Sequence, residues 1–288
     1  MEPKLGINLW YKDAKNISVI LAKAVELGFN HAEISVDYPF GIEDDKPFKD
    51  MCRHVREHGL TLSIHAPWHE INLASPLPEV REASIKVIER VLRLAYQAES
   101  IYVVLHVTSA QPICKSQAHR HRCISSAIEA VNKLSTVAEQ LGLFLAIENV
   151  GDPCCGRIDQ YSPIVSESRA YACIDIAHAL LHESNPRELI KDSSSYATIL
   201  SNWIESVGRD KVLATHVHSV VERNGRLDPH NIPDESLLDL KALSKVIARS
   251  GVKYVIFEAF KNLQGKPLDV LELAKPLNKL RSWLRVYA

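Results

Sequence analysis

The stretch Ala214–His230, ATHVHSVVERNGRLDPH, decides how this chain is read. The run leading into it, Val212 to Val217, is apolar and rich in β-formers, and it delivers His216 and then His218. Side chains two apart on a strand share a face, so the two histidines point to the same side. A polar loop containing Gly225 follows, and the rigid triplet Asp228-Pro229-His230 closes it. A buried strand ending in histidines, with a loop that folds an aspartate and another histidine back over its end, is a pattern suited to metal-ligating side chains.

Seven more short apolar runs lie outside this one: Leu5–Leu9, Ala32–Val36, Leu60–Ile64, Ile101–Val107, Leu143–Ile147, Tyr171–Ile176 and Tyr254–Phe257. Between them stand helical patterns such as ISVILAKAVELG, FKDMCRHVREHG and VREASIKVIERVLRLAYQ, with apolar residues recurring at spacings of three and four. Gly28, Gly59, Gly142 and Gly251 each fall where such a helix stops before the next strand, a place that suits a left-handed cap. Alternation of eight strands with helices over a chain of 288 residues predicts an α/β fold, a (β/α)8 TIM barrel, as one domain over residues 1–288. An open doubly wound sheet would bind nucleotide at a glycine-rich first turn. The first turn here is NLWYKDAKN, without GxGxxG, which disfavours that alternative.

Composition fits a globular domain: 46% hydrophobic, 24% charged, formal net charge −1. The N-terminal MEPKLGINLW lacks the features of a signal peptide, and no apolar stretch is long enough to span a bilayer, so a cytoplasmic protein without membrane partners is expected. Cys52, Cys114, Cys123, Cys154, Cys155 and Cys173 show no CxxC pairing and read as buried small hydrophobes rather than a disulfide framework, the adjacent Cys154-Cys155 pair being the one to watch.

The strand ends carry the chemistry. Strand three ends in His65, strand four in His106, strand five in Glu148, strand six in Asp175 with His178 one turn on, strand seven in His216 and strand eight in Glu258. With Asp228 and His230 this makes nine candidate metal ligands, which a barrel gathers at its C-terminal mouth because its parallel strands end on one side. A lone strand-end histidine is more often structural, and His31, His54, His58 and His182 read that way. Carboxylates inside apolar runs such as LAIEN, ACIDIAH and YVIFEAF are different, because burying them is costly unless a cation compensates them.

These residues resemble the divalent-metal TIM barrels that include endonuclease IV and the xylose isomerase-like sugar isomerases and epimerases. The resemblance runs from LGINLW to IFEAF and is carried by HAPWHEINLASP, AIEN, CIDIAH, HVH with its downstream DPH, and FEAF. It implies three zinc sites in the endonuclease IV manner: His65, His106 and Glu148; Glu148 as a bridge with Asp175, His216 and Glu258; and His178, Asp228 and His230. Three divalent ions would bring six positive charges against four from Glu148, Asp175, Asp228 and Glu258, and the positive remainder suits a phosphate. The function expected first is therefore metal-dependent phosphoester hydrolysis, with abasic-site DNA as a possible substrate and Glu148, Glu258 and His178 as catalytic residues.

The alternative is a sugar or sugar-phosphate isomerase or epimerase with one Mn2+, Co2+ or Mg2+ ion on Glu148, Asp175, His216 and Glu258, and two glutamates that shuttle protons. Trp68, His218 and Arg223 are expected to contact substrate. Lys115, Arg120, Arg122, Arg157, Arg226 and Lys261 also fall in mouth loops, where they could meet phosphates. Glu33 is a candidate proton-transfer or supporting carboxylate and Asn149 a candidate orienting residue. The chain departs from the repair-enzyme pattern in the longer HAPWHEIN run, in Ala177 before His178, and in HVHSV; HAPW followed by INLASP looks more like archaeal-type proteins labelled sugar-phosphate isomerases or epimerases.

Overall fold

The computed structural model describes residues 2–150 and 154–287. The eight anticipated strands are present: β1 Lys4–Leu9, β2 His31–Ser35, β3 Thr61–His65, β4 Tyr102–His106, β5 Phe144–Glu148, β6 Tyr171–Asp175, β7 Val212–Val217 and β10 Tyr254–Phe257. All pair in parallel and close in the order β1-β10-β7-β6-β5-β4-β3-β2. The helices α1 Ile17–Leu27, α2 Asp45–Glu57, α3 Pro78–Gln97, α4 Arg120–Gln140, α5 Ile158–Ser166, α6 Ile176–Leu181, α7 Pro186–Leu189, α8 Ser195–Val207, α9 Leu240–Ser250 and α10 Ala274–Tyr287 lie between or after the strands. This is the (β/α)8 barrel that the alternation predicts. Gly28 and Gly251 cap α1 and α9 with φ of 94° and 83°, and Gly59 and Gly142 adopt the same left-handed region.

Two apolar layers follow from the strand period of two. Outward-facing residues such as Ile34, Ile64, Val103, Ile147 and Ile174 pack under the helices, in one continuous core. Inward-facing residues form a second cluster that includes Tyr102, Val104, Ala146, Cys173, Ala214 and Ile256. Each inward series ends in a site residue: Tyr102, Val104, His106; Ala146, Glu148; Cys173, Asp175; Ala214, His216; Ile256, Glu258. Gly6 makes room inside the barrel, since a Cβ there would lie 2.7 Å from Ile256 Cδ1 and 2.9 Å from His31 Cδ2.

Two expectations change. The segment after β7 is an antiparallel hairpin, β8 Ser219–Arg223 with β9 Arg226–Asn231, rather than a loop. Asn224 and Gly225 turn it with φ of 50° and 71°, the positive pair that a tight two-residue hairpin needs. Four of the six cysteines are paired, Cys114 with Cys123 and Cys154 with Cys155, so only Cys52 and Cys173 are the buried free thiols expected of all six. No helix among the described residues is long and apolar enough to cross a membrane.

Candidate metal centre

Register brings the strand-end donors level with one another. His106 pairs with Glu148 across β4 and β5, and Asp175 with His216 across β6 and β7. Glu148 is the hub: its Oε2 lies 2.9 Å from His65 Nε2 and 3.0 Å from His106 Nε2, and its Oε1 lies 3.2 Å from His216 Nδ1. Glu258 Oε2 is 3.1 Å from the same His216 nitrogen. Donor atoms within 4.8 Å of one another form three groups: His65, His106 and Glu148; Glu148, Asp175, His216 and Glu258; and His178, His218 and His230. Eight of the nine expected ligands are therefore assembled, and His218 joins them.

Asp228 stands apart. Its carboxylate is paired with Arg223 on one oxygen and Lys261 on the other, and it belongs to none of the three groups. That pairing also occupies Arg223, whose remaining hydrogen bonds go to Asn231 Oδ1 and the carbonyls of Asn262 and Leu263. Arg120 and Arg157 likewise share Asp159. The mouth cations expected to await phosphates are thus in large part held by carboxylates of the chain itself.

Hydrogen bonds fix which histidine lone pairs remain available. His65 Nδ1 lies 2.9 Å from the Ala66 carbonyl, so it carries the proton and leaves Nε2 as donor to a cation. His230 Nδ1 is 3.2 Å from the Glu258 carbonyl, which likewise frees its Nε2. His218 is different: the His230 amide donates to its Nδ1 at 2.9 Å, and its Nε2 meets Asp175 Oδ2 at 2.8 Å. Asp175 is further fixed by the amide of His178, which donates to Oδ1 at 2.7 Å, and by Asn149, whose amide group accepts from Asp175 N–H and donates to its carbonyl. Asn149 therefore clamps the backbone of a site residue.

Charge balance makes this cluster fit a cation. Glu148, Asp175 and Glu258 are buried, and no lysine or arginine among the described residues pairs with any of them. Burial pushes each carboxyl up, but the neighbouring histidines outweigh it and hold all three below the ordinary range. Burial opposes a proton on His65, yet Glu148, Glu258 and Glu33 raise it to about 9. Protons on His65 and His216 thus compensate the carboxylates in the place that a divalent ion would take. Nδ1 of His216 and Oε2 of Glu258, which face each other at 3.1 Å, are buried without an aligned hydrogen-bond partner, as is expected of atoms shaped for a ligand not counted among the protein groups. The second donor group, with three carboxylates and one imidazole, suits a hard or borderline divalent cation.

Beside the donors opens a cavity of about 570 Å³, whose lining includes His65, His106, Glu148, His178, His230 and Glu258 together with Trp10, Trp68, Val150 and Phe260 and the polar Ser35, His69 and Thr108. Trp68 stands with its ring centroid 5.5 Å from His65 and 6.0 Å from both His106 and Trp10, so it walls the site. Neither Arg223 nor His218 lines this space. Among the described residues, no lysine or arginine does either.

A closed parallel barrel with clustered carboxylates and imidazoles at its C-terminal mouth defines the class: an α/β barrel with a candidate divalent-metal site. The family is shown by a match over residues 21–285, and the chain belongs to the Xylose isomerase-like TIM barrel family. An uncharacterised protein of Methanocaldococcus jannaschii is 23% identical over 98% of this chain and all of its own length. Among solved structures, the 3-keto-D-glucoside 4-epimerase of E. coli aligns with a TM-score of 0.69 at 18% identity over 97% of this chain and 99% of that one. The D-psicose 3-epimerase of Clostridium cellulolyticum H10, solved with D-tagatose, gives 0.67 at 17% identity over 99% and 98%. A Thermus thermophilus protein soaked with zinc chloride gives 0.66 at 20% identity over 96% and 98%. At these identities the likeness is one of fold.

Proposed function

We propose that this protein is a divalent-metal-dependent isomerase or epimerase acting on a small sugar. The observation that carries the proposal is the cavity: its volume suits a small ligand, Trp10, Trp68 and Phe260 line it, and no lysine or arginine among the described residues lines it to receive a phosphate. The epimerases among the structural neighbours support the same reading. This reverses the order of the two functions expected from sequence, because Arg223 and Lys261 are held by Asp228 instead of facing the cavity.

Glu148, Asp175, His216 and Glu258 would hold the metal, Mn2+, Co2+, Mg2+ or Zn2+. Such an ion, when bound, polarises a substrate carbonyl and orients its neighbouring hydroxyl. The chain's own part is proton transfer. Glu148 and Glu258 face the same cavity, and carboxylates held ionised by neighbouring imidazoles can take a proton from the carbon beside the carbonyl and return it to the other face or to the adjacent carbon. Trp68, Trp10 and Phe260 exclude water from the reacting carbons. His178 and His230 border the cavity and would hydrogen-bond substrate hydroxyls.

A second reading, phosphoester hydrolysis at up to three zinc ions, is favoured by one observation: Glu148 is shared by two donor groups, as a bridging carboxylate would be. The experiment is proton exchange. Metal-loaded protein incubated with ketoses in D2O should place deuterium at the carbon next to the carbonyl, and Glu258→Gln should abolish it. Cleavage of abasic-site DNA or of small phosphoesters, without deuterium incorporation into any sugar, would replace the first reading by the second.

A further inference from the structure

His218 is a wholly buried histidine beside the candidate metal donors to which the proposed chemistry gives no role. Its ring lies close enough to His178 and His230 to complete a three-histidine donor group. Hydrogen bonding argues otherwise. The backbone N–H of His230 points at Nδ1 from 2.9 Å, so that nitrogen has no proton, and its lone pair is already used. The ring's one proton then sits on Nε2 and is given to Asp175 Oδ2 at 2.8 Å. Neither nitrogen is left for a cation.

Asp175 is the residue that gains. One oxygen accepts from the His178 amide at 2.7 Å and the other from His218, so the carboxylate is pinned at both ends while each oxygen keeps a lone pair. The partner that fixes His218 is itself unusual. His230 adopts φ of 59°, in the left-handed region uncommon for residues other than glycine although histidine is among those that enter it, and its ring stacks on that of His218 with centroids 4.3 Å apart and planes inclined by 29°. A conformation of this kind persists where the surroundings over-determine it.

We infer that His218 is a positioning residue, which receives the His230 amide on Nδ1 and fixes Asp175 through Nε2–H, and is not itself a metal ligand. The inference rests on the reading of Asp175 as a metal donor. It follows the general arrangement in which a group outside the metal's own shell orients a ligand within it. Here the usual order is inverted, with the imidazole holding the carboxylate.

Two amide substitutions separate the ring's two contacts. The amide of asparagine reaches the depth of Nδ1 and can receive the His230 N–H, whereas that of glutamine reaches the depth of Nε2 and can donate to Asp175. Zinc affinity by competition with a chromogenic chelator, with zinc per chain at saturation, is measured for the wild type, His218→Gln and His218→Asn. His218→Gln should stay within about threefold of the wild type and His218→Asn should weaken binding about 10- to 100-fold, with zinc per chain unchanged in both. Loss of a zinc ion from both variants would make His218 a ligand, and equal affinities in all three proteins would remove its positioning role. Side-chain 15N–1H correlation spectra of the wild type guard against a misfolded variant: His218 should show a protonated Nε2 and an unprotonated Nδ1 with and without zinc. A protonated or zinc-shifted Nδ1 would overturn the inference. Failure of the wild type to bind zinc would instead end the metal reading, and the spectrum alone would decide whether His218 holds Asp175.

Discussion

Glu33 Oε1 lies 3.0 Å from Nε2 of His216, at the opposite end of the ring from the nitrogen that faces Glu148 and Glu258. Glu33 is in turn fed from below. Lys4 Nζ donates to Thr61 Oγ1, Thr61 meets His31 Nδ1 at 2.8 Å, His31 Nε2 meets Ser63 at 2.9 Å, and Ser63 donates to Glu33 Oε2 at 2.9 Å. Ser63 has one proton and gives it to Glu33, so His31 must donate to Ser63 from Nε2. Burial holds His31 neutral, with its pKa brought down to about 3. A polar column of this kind runs through the barrel interior and ends under the candidate metal site.

From this contact we expect Glu33→Gln to weaken divalent-metal binding by about 10- to 100-fold while the apo fold is retained, since partners of ligating histidines typically matter that much. Isothermal titration with Mn2+ or Zn2+ checks it. Unchanged affinity would make Glu33 a purely structural residue.

Metal binding should strengthen as pH rises. His65 is raised to about 9 and His216 well above its ordinary value, in each case because buried carboxylates outweigh burial. A cation must displace those protons, so apparent affinity should increase up to about pH 9 and binding should release protons into weak buffer. The same shifts set the stability of metal-free protein. Groups whose folded pKa is raised contribute stability that is full below their unfolded value near 6.5 and is lost as pH climbs through the folded value. The melting temperature of the metal-free chain should therefore fall between about pH 6.5 and 9, and a rise across that window would contradict the charge balance described.

Trp68→Ala should raise KM for the sugar substrate by roughly tenfold, equivalent to about 1.4 kcal/mol of lost binding, with metal affinity unchanged. Trp68 walls the cavity without donating to the metal groups. Loss of metal with loss of substrate binding would instead make the tryptophan a support for His65 and His106.

Asp228→Asn separates two roles for one residue. As the partner of Arg223 and Lys261, Asp228 is about a quarter exposed, and breaking such pairs costs on the order of 1 kcal/mol or less. Metal content per chain should not change. A drop by one ion would return Asp228 to the ligand set implied by the endonuclease IV resemblance.

The sequence made the barrel legible because its strands are short, apolar and separated by amphipathic helices, with Gly28, Gly59, Gly142 and Gly251 at the joints. Period two then placed His106, Glu148, Asp175, His216 and Glu258 on the inner face, and parallel closure brought them together. What depended on distant partners was not legible. Asp228 looks like a ligand until Lys261, far along the chain, arrives beside it. His218 shows its role only once the His230 amide is placed, and Glu33 only once β2 and β7 face each other across the barrel. The Cys114–Cys123 pair has a separation of 9 residues and no motif to mark it. The hairpin after β7 did carry a readable signal, Asn224-Gly225 between β-forming runs, which points to a tight turn rather than a loop.

The claim on which the rest depends is that the buried carboxylates and imidazoles at the barrel mouth hold a divalent cation. Elemental analysis of the protein, purified without added metal or chelator and compared with Glu148→Ala, tests it most directly. The account predicts at least one divalent ion per chain in the wild type and its loss in the variant, because Glu148 belongs to two of the three donor groups. No bound metal in the wild type, even after incubation with Mn2+, Co2+, Mg2+ and Zn2+, would contradict it.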